Sequence, residues 1–259
     1  MKKTKKCENY KCEKCKCENC ATSERVSIPK IGFKIIITVA LGLVIIFVTA
    51  LEICRALASL SAIPALPAPE LSEGMRGELG IDKNINEKTI DNYLGRSDSV
   101  YRDMRMLKDE ANYEKIDGDS YISGIVKGFE VVSLPYLMTP ENLPEEVGKS
   151  YSGETLFNCN KVTETCQPNY KESMAILEDL FPKNKNIFLM CGGGGYAGMT
   201  KKLLVGLGWD ENKIYNVGGY WYYEGNNKID IKMTISGADT YAFWRLNYHT
   251  IDFKTLHEV

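Results

Sequence analysis

Histidine is almost absent from this chain of 259 residues, with only His249 and His257 present. Two imidazoles without a third ligand at metal-site spacing make no metal centre by themselves. An excess of charge of one sign is also lacking, because 32 Lys and Arg stand against 34 Asp and Glu. That balance hides an asymmetry: residues 1–34 hold ten Lys or Arg and four Glu, a net of +6, which leaves −8 for the remainder. A negative domain is a poor partner for nucleic acid, so no nucleic-acid function is expected. No internal repeat is visible, which excludes a repeat architecture.

What the chain does have is a stretch built around one cysteine. From Asn186 it reads Asn-Ile-Phe-Leu-Met-Cys191-Gly-Gly-Gly-Gly-Tyr196-Ala-Gly-Met-Thr-Lys-Lys-Leu-Leu-Val-Gly-Leu-Gly208. The continuous apolar run Ile187, Phe188, Leu189, Met190 predicts a parallel strand covered on both faces. Met199, Leu203, Leu204 and Leu207 recur at helical spacing, with Gly208 as a natural stop. Between strand and helix, Gly192, Gly193, Gly194 and Gly195, followed by Tyr196 and Ala197, offer backbone N–H groups at a helix N-terminus. That arrangement binds anions. Cys191 stands at the edge of this cradle, and the amides and helix dipole are expected to favour its thiolate, the nucleophilic form.

The loop lacks the charges that rival chemistries need. Gly193, Gly195 and Gly198 fit Gly-x-Gly-x-x-Gly, but a dinucleotide fold wants an acid about 20 residues on, where Gly218 and Gly219 stand. A phosphate-binding Walker loop needs lysine where Met199 stands. A cysteine phosphatase closes its loop with an arginine, and Tyr196 and Ala197 occupy those positions. Lys201 and Lys202 follow one turn later; they either face the mouth of the loop or lie on a solvated helix face.

The segment from Ile187 through Leu207-Gly208-Trp209 to Lys213-Ile-Tyr-Asn-Val-Gly-Gly-Tyr-Trp221 resembles the second half of a rhodanese domain. Val100-Tyr-Arg-Asp103-Met-Arg105 is similar to that family's strand ending in Asp-x-Arg. The stretch beginning Ile122-Ser-Gly-Ile-Val-Lys-Gly128 is similar to its Gly-His-Ile-x-Gly-Ala segment, without the histidine. The resemblance implies an α/β fold, a three-layer sandwich around a central parallel sheet. It also implies a loop cysteine, here Cys191, that carries sulfane sulfur as a persulfide from a small sulfur donor to a thiol acceptor, with no dissociable cofactor. Asp103 and Arg105 would support the site loops or form an ordinary ion pair at a strand end. Many active members carry an arginine at the position of Tyr196, so an anionic donor is expected to bind weakly here. The alternative is a rhodanese-like binding or redox-sensing module without turnover.

The N-terminal third differs in character. Residues 1–34 form a Cys- and Lys-rich tail in which Cys12, Cys15, Cys17 and Cys20 make two Cys-x-x-Cys pairs. Four thiolates can close on one Zn²⁺, although a zinc ribbon separates its pairs by roughly 15 to 20 residues. A disordered, redox-active tail is the other reading. An uncharged run begins at Ile35 and continues to Leu51, with Ile53 beyond Glu52. Residues 35–54 are therefore expected to be a single N-terminal transmembrane helix. Lys30, Lys34 and the basic tail put the N-terminus in the cytoplasm and the remaining chain outside the membrane. Cleavage of a signal segment at Ala56-Leu-Ala58 is the competing account, and it too exports the domain.

Residues 55–85, rich in Ala and Pro, read as a linker, and 86–259 as the folded domain with a C-terminal arm. Expected elements are a helix over 86–94, a strand over 99–104, a helix over 110–116, a strand over 130–134 and an amphipathic helix over 171–180. Cys159 and Cys166 would pair in an oxidising compartment, leaving Cys191 as an unpaired thiol.

Overall fold

The structure, a computed structural model, describes residues 63–109, 122–139, 151–160 and 165–259, together with Val48, Thr49 and Glu52. The chain divides after Ser59, and the elements below belong to the unit Leu60–Val259. The strands are β1 (Ser99–Asp103), β2 (Gly124–Val126), β3 (Glu130–Val131), β4 (Phe157–Asn160), β5 (Thr165–Pro168), β6 (Asn186–Cys191), β7 (Ile214–Gly219), β8 (Lys228–Asp230), β9 (Lys232–Ile235) and β10 (Ala238–Tyr241). The α-helices are α1 (Met75–Glu78), α2 (Leu134–Leu137), α3 (Ser173–Leu180) and α4 (Gly195–Gly206).

The fold is mixed α/β with a central parallel sheet of four strands in the order β3-β1-β6-β7. β6 occupies an interior position, paired with β1 from Ser99↔Asn186 to Asp103↔Met190 and with β7 up to Cys191↔Gly219. Its apolar run is buried on both faces because alternate residues point to opposite sides. Ile187, Leu189 and Cys191 join one core with the helical residues Leu177, Leu203 and Leu204. Phe188 and Met190 join a second with Tyr215, Val217, Ile125 and Ile231. Helices thus cover one face. The other is covered by the β2–β8 ladder, the 85–94 segment and aromatic side chains near the C-terminus.

Several boundaries differ from expectation for local reasons. The 86–94 segment makes only a 3₁₀ turn at Ile90–Tyr93, its side chains Asn86 and Thr89 capping backbone groups of the bend instead of opening an α-helix. β3 stops at Val131, and Pro135 then sits in the first turn of α2, where its missing N–H costs nothing. The 110–116 helix lies outside the described residues. α4 ends as expected, with Gly208 at φ 92° beyond it.

The larger difference is in the expected linker. From residue 63 onward the chain lies on the domain: Ile81 and Ile85 are buried, Leu71 bridges to Asp82, and Asp82 N–H donates to the Asn216 carbonyl at 2.8 Å. The C-terminal arm also lies on the domain, with Tyr248 beside Val131 and Glu258 beside Tyr170. Among the described residues no helix is long and apolar enough to cross a membrane. The expected span, 35–54, falls outside them except for Val48, Thr49 and Glu52, which are helical.

Candidate functional site

Because β1, β6 and β7 run parallel, they end on one edge of the sheet, at Asp103, Cys191 and Gly219. The carboxyl edge of such a sheet is where ligands bind. Cys191 is the one free cysteine of the described residues and is only 3% exposed. The Gly194 N–H donates to its Sγ at 3.0 Å, and the amides of Ala197 and Tyr196 act on the same sulfur. Three amides of the expected loop, those of Gly194, Tyr196 and Ala197, thus meet on the sulfur at the start of α4.

The glycines of the loop and of the adjoining end of β7 answer to close packing. Gly194 caps α4 at φ 111°, a left-handed conformation that side chains rarely adopt. A Cβ on Gly219 would lie 2.1 Å from the Gly192 carbonyl oxygen and 2.8 Å from the Gly193 Cα, backbone atoms held by the loop. The Trp221 ring lies on Gly192 and Gly193, and the backbone N–H of Trp221 donates to the Gly192 carbonyl at 3.2 Å.

The expected activation of Cys191 is not what the environment produces. Burial pushes the thiol above its ordinary value of 9.0, and the Asp103 carboxylate pushes it the same way. The three amides pull it down without reversing the direction. The sulfur has hydrogen-bond donors, but it has lost the water that would stabilise a full charge.

Asp103 and Arg105 are brought together as an ion pair, with Arg105 Nη2 at 2.6 Å and Nε at 2.9 Å from the carboxylate. A further bond runs from Nη2 to the Gly124 carbonyl at 2.8 Å. The guanidinium lies 4.5 Å from the centre of the Tyr220 ring. Arg105 follows β1 and Tyr220 follows β7, so their contact passes over the end of the intervening β6, where Cys191 sits. Burial works against the Arg105 charge, while Asp103, Tyr220 and Cys191 favour it and leave its pKa raised.

Tyr196 is buried, and its hydroxyl donates to Asp109 at 3.2 Å. Lys201 and Lys202 are not gathered at the loop. Lys201 reaches Glu211 at 3.7 Å, next to the start of β7 and thus toward the opposite edge of the sheet from Cys191, and Lys202 is exposed. Cys159 and Cys166 are joined by a disulfide, on paired positions of the β4–β5 hairpin. No group of three or more metal-ligating side chains occurs among the described residues, and Cys12, Cys15, Cys17 and Cys20 lie outside them.

Comparison with family models, curated proteins and solved structures finds no match to this chain. The reading of the site therefore rests on its own geometry.

One residue the sequence reading passed over is Asn216. Fully buried in β7, it donates to the carbonyls of Leu79 (2.8 Å) and Gly194 (3.0 Å) and accepts from the Gly218 N–H (3.0 Å). It ties the N-terminal segment, the cysteine loop and the irregularity of β7 into one unit. The available signal was a lone amide in the otherwise apolar run Ile214, Tyr215, Asn216, Val217.

Proposed function

We propose that this protein is a rhodanese-like sulfur carrier: a three-layer domain held outside the cytoplasmic membrane by a segment at residues 35–54, with Cys191 as the carrier. The observation that supports it most is the Cys191 sulfur at the carboxyl edge of a parallel sheet, facing the amides of Gly194, Tyr196 and Ala197 at the start of α4. The Cys191 thiolate attacks the sulfane sulfur of a donor. The donor's S–S bond breaks, its electron pair leaves with the donor fragment, and Cys191 becomes a persulfide. The amides receive the negative charge of the persulfide as an oxyanion hole would. The Cys159–Cys166 disulfide is in keeping with an oxidising compartment. The N-terminal Cys12, Cys15, Cys17 and Cys20 are proposed as a Zn²⁺ site, tested by metal-dependent spectroscopic change in a peptide covering residues 1–25.

The decisive experiment is mass spectrometry of the intact protein after exposure to sulfane-sulfur donors. One added sulfur atom on the parent, absent from Cys191→Ser, is the expected result. A second reading, a binding or sensing module without turnover, is favoured by the near-complete burial and raised pKa of the thiol. It takes over if no donor loads Cys191.

A further inference from the structure

We propose that Arg76, Glu87 and Tyr222 form a subsite beside the cysteine loop for the zwitterionic head of a free α-amino-acid thiol, which is the sulfur acceptor. This rests on the sulfur-carrier reading above. Arg76 comes from α1 and Glu87 from the segment just before the Ile90–Tyr93 turn, both in or near the stretch whose sequence suggested a linker. Arg76 Nη2 donates to Glu87 Oε1 at 2.7 Å. The pair has an inner acid and an outer base, with side chains 5% and 36% exposed.

The second oxygen of Glu87, Oε2, is buried and has no hydrogen-bond partner among the described residues. Folded chains rarely leave a buried carboxylate oxygen without a donor. A ligand that brings an N–H answers that need. The half-exposed ring of Tyr222 lies under the guanidinium at 4.9 Å and forms an outer wall.

The cluster lies close to the chemistry. A Cβ on Gly218 would be 2.0 Å from Glu87 Oε2 and 3.0 Å from Arg76 Nη2, so both groups press on the backbone of that residue. Gly218 Cα lies in turn 3.5 Å from the Cβ position of Gly194, whose N–H is bonded to the Cys191 sulfur. Gly218 also pairs with Met190, directly before Cys191.

An internal ion pair of this kind is a template for a zwitterion. When Arg76 turns outward, a ligand ammonium donates to Glu87 while the ligand carboxylate takes the guanidinium. The charges stay matched and no lone ion is buried. A simple anion would satisfy Arg76 and leave Glu87 facing it. In the transfer step the acceptor thiolate attacks the outer sulfur of the Cys191 persulfide. The bond from that sulfur to Sγ breaks, its electron pair returns to Sγ, and the proton given up by the acceptor thiol restores the Cys191 thiol. The acceptor leaves as its own persulfide.

The test uses the full chain in two arms. Calorimetry on Cys191→Ala compares L-cysteine with cysteamine, which lacks the carboxylate, and N-acetylcysteine, which lacks the ammonium. L-cysteine should bind at least about tenfold more tightly than either, the loss expected for one charge-assisted contact. Glu87→Gln should remove that preference; because the parent site's discrimination is itself the readout, poor folding of the variant does not rescue the idea. Equal binding of the three thiols, or binding of none, overturns the subsite. In the second arm, discharge of the loaded wild-type persulfide should show the same order of acceptors. Discrimination in the first arm with no loading in the second sinks the carrier reading and leaves the amino-acid site standing. Loading with indifferent discharge does the reverse.

Discussion

At Cys191 the sulfur accepts an amide N–H yet lies almost out of reach of water, so hydrogen bonding and desolvation act on its ionisation in opposite directions. Desolvation prevails. Reaction of Cys191 with a small alkylating agent is therefore expected to keep rising with pH past the ordinary thiol value of 9.0, with no plateau near neutrality. The same shift has a stability consequence. The folded pKa lies above the unfolded one, so this contribution is fully present below the unfolded thiol pKa and is lost as pH rises through the folded value. Alkylation rates and urea midpoints measured against pH check both statements, and Cys191→Ala should flatten the second. In the proposed sulfur-carrier reading an arginine at the position of Tyr196 would serve an anionic donor, but the Tyr196 hydroxyl is already turned to Asp109. Tyr196→Arg would meet that carboxylate, so thiosulfate loading should improve by less than about tenfold, short of a free charge-assisted contact. A gain of a hundredfold in loading rate would show that the new guanidinium faces the donor.

The strand, loop and helix around the cysteine act as one element only because Asn216 secures them from the neighbouring strand. Its amide serves carbonyls in two other segments and its oxygen holds the Gly218 N–H. Asn216→Ala takes the amide partner from the part-buried Leu79 carbonyl and the acceptor from the Gly218 N–H, and leaves the Gly194 carbonyl with the Gly198 N–H alone. The expected loss is roughly 1 to 3 kcal/mol, the cost of leaving a buried polar group unmet. Chemical denaturation measures it. Donor loading of Cys191 should slow in parallel, because the Gly194 carbonyl and the Gly194 N–H on the sulfur belong to the same residue. An unchanged loading rate in a destabilised variant would separate the strut from the site.

For the molecule as a whole, the segment from residue 63 to 85 belongs to the folded unit. It fills the second core with Ile85, places the Ile81 side chain against Gly194, and lays the Leu79 carbonyl against Gly198. Losing one buried isoleucine costs about 2 to 5 kcal/mol, and two approach the whole stability of an ordinary domain. A chain beginning at residue 63 should show a cooperative thermal transition by circular dichroism, and one beginning at residue 86 should show none. Equal transitions in both would return the segment to the role of a tether.

Much of this was legible in the linear order. The apolar run from Ile187 to Met190 could only be an interior strand, and the helical spacing to Leu207 with Gly208 behind it defined α4, because both signals are local periodicities. The pairing of Asp103 with Arg105 follows from their place at one strand end. The Ala- and Pro-rich composition of residues 55–85 hid the docking of Ile81 and Ile85, since isolated apolar residues carry no period that shows what they touch. Asn216, the Arg76–Glu87 pair and the direction of the Cys191 pKa came from tertiary structure alone. Each depends on how much water and which distant backbone groups surround a side chain, and sequence spacing does not encode that. The sequence determined that a cysteine would stand before a glycine loop at the end of a buried strand; its packing into the core under α4, with the Asp103 carboxylate nearby, decided that its thiol would be closed off and hard to ionise.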